Sequence, residues 1–174
     1  GCSSDKKRTT YNDYMTEIGD VGTASAKLGA ALGDLLTTPG LKQAELETKL
    51  GGLIQQQQQD VQQADGLDVP GPLHPAHEHA VQALQLRVGG MQGMLTTFKA
   101  TASSKDATAA GEQLSAQARR LVASDVVWQD FIRLPAAAVL KAPSHPYTKS
   151  LLAAIPELTG IRRVLPALSD HMPG

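Results

Sequence analysis

Apolar residues recur at alternating intervals of four and three along the first part of the chain, at Tyr14, Ile18, Val21, Leu28, Leu32 and Leu35, with Ser25 holding the one polar position in the row. An α-helix repeats every 3.6 residues, so this row keeps one face turned towards neighbouring helices. A second row comprises Leu46, Leu50, Leu53, Ile54 and Val61, interrupted by Gln55 to Gln59. Glutamine favours the helix, so the element continues while its middle turns polar. The 4-3 interval returns at His77, Val81, Leu84, Val88, Met91, Leu95 and Phe98. A fourth row, Ala110, Leu114, Ala118, Leu121, Val122, Trp128 and Phe131, supplies the last buried set.

Prolines and loop-forming residues separate these rows. Prolines stand at 39, at 70, 72 and 75, and then only from 135 onwards, which leaves long stretches where helices can run. Thr38-Pro39-Gly40 closes the first helix, with Thr38 as a cap and Pro39 suited to the first position of the next. Asp65 to Pro72 is a loop on composition, and Thr101 to Asp106 a turn whose Asp106 suits an N-cap. Leu134-Pro135 ends or kinks the fourth helix. The expected organisation is a flexible tether over 1–10, a four-helix bundle over 11–142, and a proline-rich tail over 143–174 with one short helix, Thr148 to Ile155. The fold class is all-α: an antiparallel four-helix bundle with a short C-terminal helical extension.

Glycines fall inside the helices at 19 and 22, 29 and 33, and 89, 90 and 93. Each costs about 1 kcal/mol relative to alanine in a helix interior, so each calls for a compensating close approach between helices or room for a ligand.

Composition fits helices. The chain has 174 residues, only six aromatics by count of Phe, Trp and Tyr, and a formal charge of -1. Without a basic excess there is no electrostatic footprint for nucleic acid. No apolar run reaches the length of a membrane span. One cysteine cannot form an internal disulfide, so stability rests on packing.

Candidate chemistry is sparse. His74 and His77 lie three apart with Glu78 and His79 alongside, a weak metal-ligand spacing whose plainer reading is surface histidines beside a proline turn, with His77 partly packed. Ser25 and Gln57 occupy stripe positions and are the candidates for a ligand pocket or a polar layer that fixes helix register. Glu45, Glu47, Asp60 and Asp65 on the second helix form no paired-carboxylate arrangement, and Arg119-Arg120 reads as a solvated face. There is no G-x-S-x-G, H-E-x-x-H or Walker A pattern. The expectation is a protein that is not an enzyme and needs no cofactor.

Gly1-Cys2-Ser3-Ser4, followed by Asp5-Lys6-Lys7-Arg8, resembles the processing site of bacterial lipoproteins, in which the cysteine is lipidated. A Gly-Cys remnant of recombinant expression would carry no such meaning. Together with the four-helix pattern, the stretch Arg119 to Phe131 resembles a group of actinobacterial secreted lipoproteins of unknown function, over residues 1–142. That resemblance implies a place outside the cytoplasm, anchored to the membrane through a lipid on Cys2.

A second resemblance concerns the tail. His145-Pro146-Tyr147-Thr148-Lys149-Ser150-Leu151-Leu152, with Arg162-Arg163-Val164-Leu165-Pro166 beyond it, is similar to the C-terminal tail of oligopeptide and dipeptide ABC-transporter ATP-binding proteins. It implies a partner-binding segment made by His145, Pro146, Tyr147, Thr148, Leu151 and Leu152, with a transporter subunit or another envelope protein as partner. The nucleotide-binding motifs of that family are missing, so ATP hydrolysis is not implied. The expected function is a non-enzymatic envelope lipoprotein acting as a binding or scaffold module. The alternatives are an accessory or fragment linked to a peptide-import transporter, and an extracytoplasmic small-ligand sensor.

Overall fold

The computed structural model describes the backbone of residues 2–133 and the side chains of residues 10–131. Four α-helices, and no strand, make up these described residues: α1 (Cys2–Thr37), α2 (Gln43–Asp65), α3 (His74–Thr101) and α4 (Ala107–Arg133). A single 3-10 turn, Gly71–Leu73, precedes α3. Each helix packs on the next in an up-and-down bundle, the all-α fold that the hydrophobic rows predict. The tail from 143 onwards, its short helix, the break at Pro135 and the candidate partner-binding residues 145–152 lie outside the described residues.

Helix α1 begins at Cys2 and runs through the residues expected to form a flexible tether. No proline interrupts it and its first glycine is Gly19, so nothing in the sequence stops the helix earlier. At its other end the Thr37 and Thr38 hydroxyls donate to the carbonyls of Gly33 and Asp34 at 2.8 and 2.6 Å, satisfying groups the helix leaves open. Gly40 turns the chain at a φ of 72°, and Leu41 folds inward to 5% exposure. Because these residues are spent on the turn, α2 starts only at Gln43, and Pro39 sits in the turn and not at the first position of α2. Pro75 does lie in the first turn of α3, where no amide donor is needed. Asp106 caps α4 as expected, its Oδ1 accepting from the Ala109 amide at 3.0 Å.

All seven positions of the first row are buried, Ser25 included. The row on α3 is offset from expectation. Alongside His77, Leu84, Met91 and Phe98, the helix buries Ala80, Arg87, Met94 and Thr101, while Val81, Val88 and Leu95 stay half-buried. The close packing of α3 on α4 also brings Gly90, which has no side chain, into the buried face. A Cβ on Gly90 would come within 2.7 Å of the Leu121 side chain, and one on Gly93 would strike Gln117. On α1 a Cβ on Gly22 would lie 2.8 Å from the Trp128 ring. Close approach thus accounts for these three glycines, whereas Gly89 meets nothing within 4 Å.

The core is divided along its length. One apolar cluster joins Leu28 to Leu36 with Leu46, Leu50, Ile54, Met91, Phe98, Leu114 and Leu121, near the 38–42 and 102–106 turns. The other joins Tyr14, Ile18, Val21, Leu73, Ala80, Leu84, Trp128 and Phe131, near the 66–73 loop. A polar layer with members from every helix lies between them.

Candidate functional site

On each helix the polar layer falls where the apolar row changes cluster. Ser25 stands between Val21 and Leu28, Gln57 and Asp60 between Ile54 and Ala64, Arg87 between Leu84 and Met91, and Ser124 between Leu121 and Trp128. Arg87 is at its centre and only 2% exposed. Its Nε donates to the Ser124 hydroxyl at 3.1 Å, Nη1 to the Ser25 hydroxyl at 2.9 Å, and Nη2 to Asp125 Oδ1 at 3.2 Å. The planar guanidinium presents donors in fixed directions, so these three partners on α1 and α4 fix its place. Its central carbon also lies 5.4 Å from the centre of the Trp128 ring, within range of a cation–π attraction.

The hydroxyls pass the hydrogen bonds on. Ser25 accepts from Arg87 and donates to Gln57 Oε1 at 3.1 Å, and the Gln57 amide nitrogen donates to Asp60 Oδ2 at 3.4 Å. Ser124 accepts from Arg87 and donates to the Leu121 carbonyl at 2.6 Å. Every helix therefore enters one connected network. Burial pushes the Asp60 carboxyl up to about 6, and the positive charge of Arg87 opposes that rise without cancelling it. Asp125 pairs directly with the guanidinium, so Asp60 is the second carboxylate held near one buried cation.

Towards the 66–73 loop a smaller polar pair is buried. Tyr14 Oη lies 2.9 Å from His77 Nδ1, with the rings edge to face at 64°. Burial raises the Tyr14 phenol above its usual range and lowers the His77 imidazole, whose hydrogen bond to the Ala64 backbone works against that lowering. With the phenol held protonated and the imidazole neutral, Oη and Nδ1 share one hydrogen bond whose direction follows the His77 tautomer.

The structure brings Ser25 and Gln57 together, as the pocket expectation requires, yet closes them into the network around Arg87. They act as the polar layer that the same positions offered as the second reading. His74 is exposed while His77 is buried against Tyr14, so the spacing of three gives no common coordination site. No group of three or more His, Cys, Asp or Glu able to hold a metal occurs among the described residues. Arg119 and Arg120 are exposed, a solvated face. Arg87, Ser124 and Asp125 were not legible as site residues, because nothing local distinguishes them from surface polar residues. The available signal was the coincidence of polar interruptions, one per helix, at the same height of an up-and-down bundle. No protein-family model matches the chain, and no curated protein or solved structure matches it either.

Proposed function

We propose that the chain is a cell-envelope lipoprotein, anchored through a lipid on Cys2, whose helical bundle is a non-enzymatic binding or scaffold module. The observation that carries this reading is the Gly1-Cys2-Ser3-Ser4 sequence, holding the chain's one cysteine, at the head of a helix continuous with the bundle. Among the described side chains of α1, Tyr14 is the first that is buried, and it stands twelve positions along the helix from Cys2, about 18 Å of rise. A lipid at Cys2 would hold the bundle off the bilayer, with the 66–73 loop end nearest the anchor. Among the described residues no helix is long and apolar enough to cross a membrane, so in this reading the lipid supplies the attachment. The polar groups around Arg87 bond to one another, which suits a rigid module. The resemblance of residues 143–174 to a transporter-associated tail makes an envelope transporter subunit one partner to test.

A second reading, an extracytoplasmic sensor, draws on the convergence of Ser25, Gln57 and Arg87 between the helices. A small polar ligand would have to replace bonds these groups make to each other, so binding would open the layer.

The deciding experiment is intact mass of the protein recovered from its own cells, with membrane and soluble fractions kept apart. The reading expects a membrane-bound species starting at Cys2 and carrying a diacylglyceryl group. A soluble, unmodified species continuing through residues before Gly1 would overturn it.

A further inference from the structure

Between Gly51 and Ala64 on α2, and between Ala80 and Phe98 on α3, the only charged residues are Asp60 and Arg87, and both are buried in the polar layer. Over these stretches the outer face of the helix pair therefore carries no charged side chain, and exposed charges return towards its ends, at Glu45, Lys49, Asp65, Glu78 and Lys99. The contrast with the other pair is sharp: Asp13, Glu17 and Lys27 on α1 and Glu112, Arg119 and Arg120 on α4 are all exposed. On a surface this long, loss of charge is the compositional mark of an interface core.

The face also has shape. A groove of about 480 Å³ runs between α2 and α3, floored by Val61, Val88 and Gly89 and walled by Gln58, Gln85 and Gln92. The valines are half-buried and the glutamines exposed. Gly89 lies on this groove and, like Gly51 and Gly52 of α2, is a helix-interior glycine at which an added Cβ would meet nothing within 4 Å. A glycine at that point costs about 1 kcal/mol relative to alanine and leaves room for a backbone arriving from outside.

We propose that this uncharged α2–α3 face is an interaction surface and that its occupant is a second copy of the same face. A charged partner group would be stripped of water here with no countercharge to receive it, so the partner must itself be uncharged. The α2–α3 face meets that requirement. Glutamine amides both donate and accept, so two such faces pair in an isologous contact without like charges meeting. The extent suits a weak contact: the uncharged stretch of α3 spans about 28 Å and that of α2 about 21 Å, each helix about 10 Å wide, or about 980 Å² of projected area over both copies, the size of a weak, reversible dimer. This inference holds whether or not Cys2 carries lipid.

The test is sedimentation velocity on the full 174-residue chain under reducing conditions, from about 1 to 500 μM, the range that brackets a reversible dimer. The wild-type chain is expected to move from monomer to dimer across that range. Gln85→Lys and Gln58→Lys each place a charge on the face and are expected to weaken the dimer at least about tenfold. Gln113→Lys makes the same change on the exposed surface of α4 and is expected to leave the dimer intact. Thermal melts followed by helix signal show that the variants keep the fold. A wild-type chain monomeric throughout overturns the proposal, whether the face is then open or covered by another part of the chain. A dimer indifferent to both face substitutions overturns it as well.

Discussion

Arg87 on α3 reaches across the bundle to Ser25 on α1, with Nη1 2.9 Å from the hydroxyl, and this single contact joins the first helix to a guanidinium already bound to Ser124 and Asp125 on α4. Ser25 in turn donates to Gln57 on α2. The arrangement fixes the heights of the helices relative to one another, because sliding any of them by one turn would leave buried donors without acceptors. Apolar contacts alone are more tolerant of such slips.

Arg87→Ala is expected to destabilise the fold by about 3–5 kcal/mol, since it leaves the Asp125 and Asp60 carboxylates in the core without their cation as well as opening a cavity. Arg87→Met combined with Asp60→Asn and Asp125→Asn should recover much of that loss, because the unpaired charges go with the cation. Urea unfolding of the single and combined variants measures both; equal losses would rule out unpaired charge as the cause.

Glycines of the bundle should separate by what faces them. Gly90→Ala puts a methyl 2.7 Å from Leu121 Cδ2 and 2.9 Å from its Cγ, and should cost about 1–3 kcal/mol through displaced packing of α3 on α4. Gly51→Ala meets nothing within 4 Å and should stabilise α2 by about 0.5–1 kcal/mol through helix propensity. Thermal melts of the two variants should shift in opposite directions.

The sequence rows made the four helices legible because hydrophobic spacing reports which face a helix buries. The first row was complete, down to Ser25, since bulky apolar residues hold the other six of its seven positions. On α3 the rule misplaced three of the seven positions, Val81, Val88 and Leu95. Alanine and glycine at 80, 83 and 90 signal little hydrophobicity, yet all three are buried, Gly90 closely against Leu121 of α4, and the more hydrophobic Val81 and Val88 were left half-buried. Ser25 and Gln57 could be singled out as polar interruptions of apolar rows. Arg87 could not, because a buried arginine is distinguished from a surface one only by partners on other helices, here Ser25, Ser124 and Asp125.

The Tyr14–His77 pair should report itself by titration. Burial lowers the imidazole, so in the folded chain His77 stays neutral at pH values where the unfolded chain, with a histidine near 6.5, already binds a proton. The unfolded state then holds more protons, and stability from this residue is complete above about pH 6.5 and lost as pH falls below it. His77→Gln should flatten that acid-side loss. Tyr14→Phe removes the hydroxyl bonded to Nδ1 and should cost about 1–3 kcal/mol at neutral pH, as expected for a buried group left without a partner. NMR titration of the His77 ring should show a midpoint below the ordinary histidine value of about 6.5, and a midpoint above it would rule the arrangement out.

Asp60 acts in the opposite sense over a neighbouring window, and that difference makes the two groups separable. Its carboxyl is raised from 3.8 to about 6 in the folded chain, so between those values the folded state holds a proton that the unfolded state has released. Stability from this group is therefore greatest below about pH 4, falls as pH rises, and is fully lost above about pH 6. A rise of two units corresponds to at most about 3 kcal/mol. Asp60→Asn keeps an acceptor for Gln57 and cannot ionise, so it should raise the melting temperature at pH 7 and leave it nearly unchanged at pH 4. In the wild-type chain the fall from Asp60 masks part of the gain that His77 shows on the same approach to neutrality. With Asn at position 60, the melting temperature should climb more steeply between pH 4 and 6, and Asp60→Asn combined with His77→Gln should remove that steepening. A melting profile from pH 4 to 8 for the wild type, each single variant and the double variant decides it: an Asp60→Asn curve parallel to the wild type would show that this carboxyl titrates alike in the folded and unfolded chains, and that the guanidinium of Arg87 fully offsets its burial.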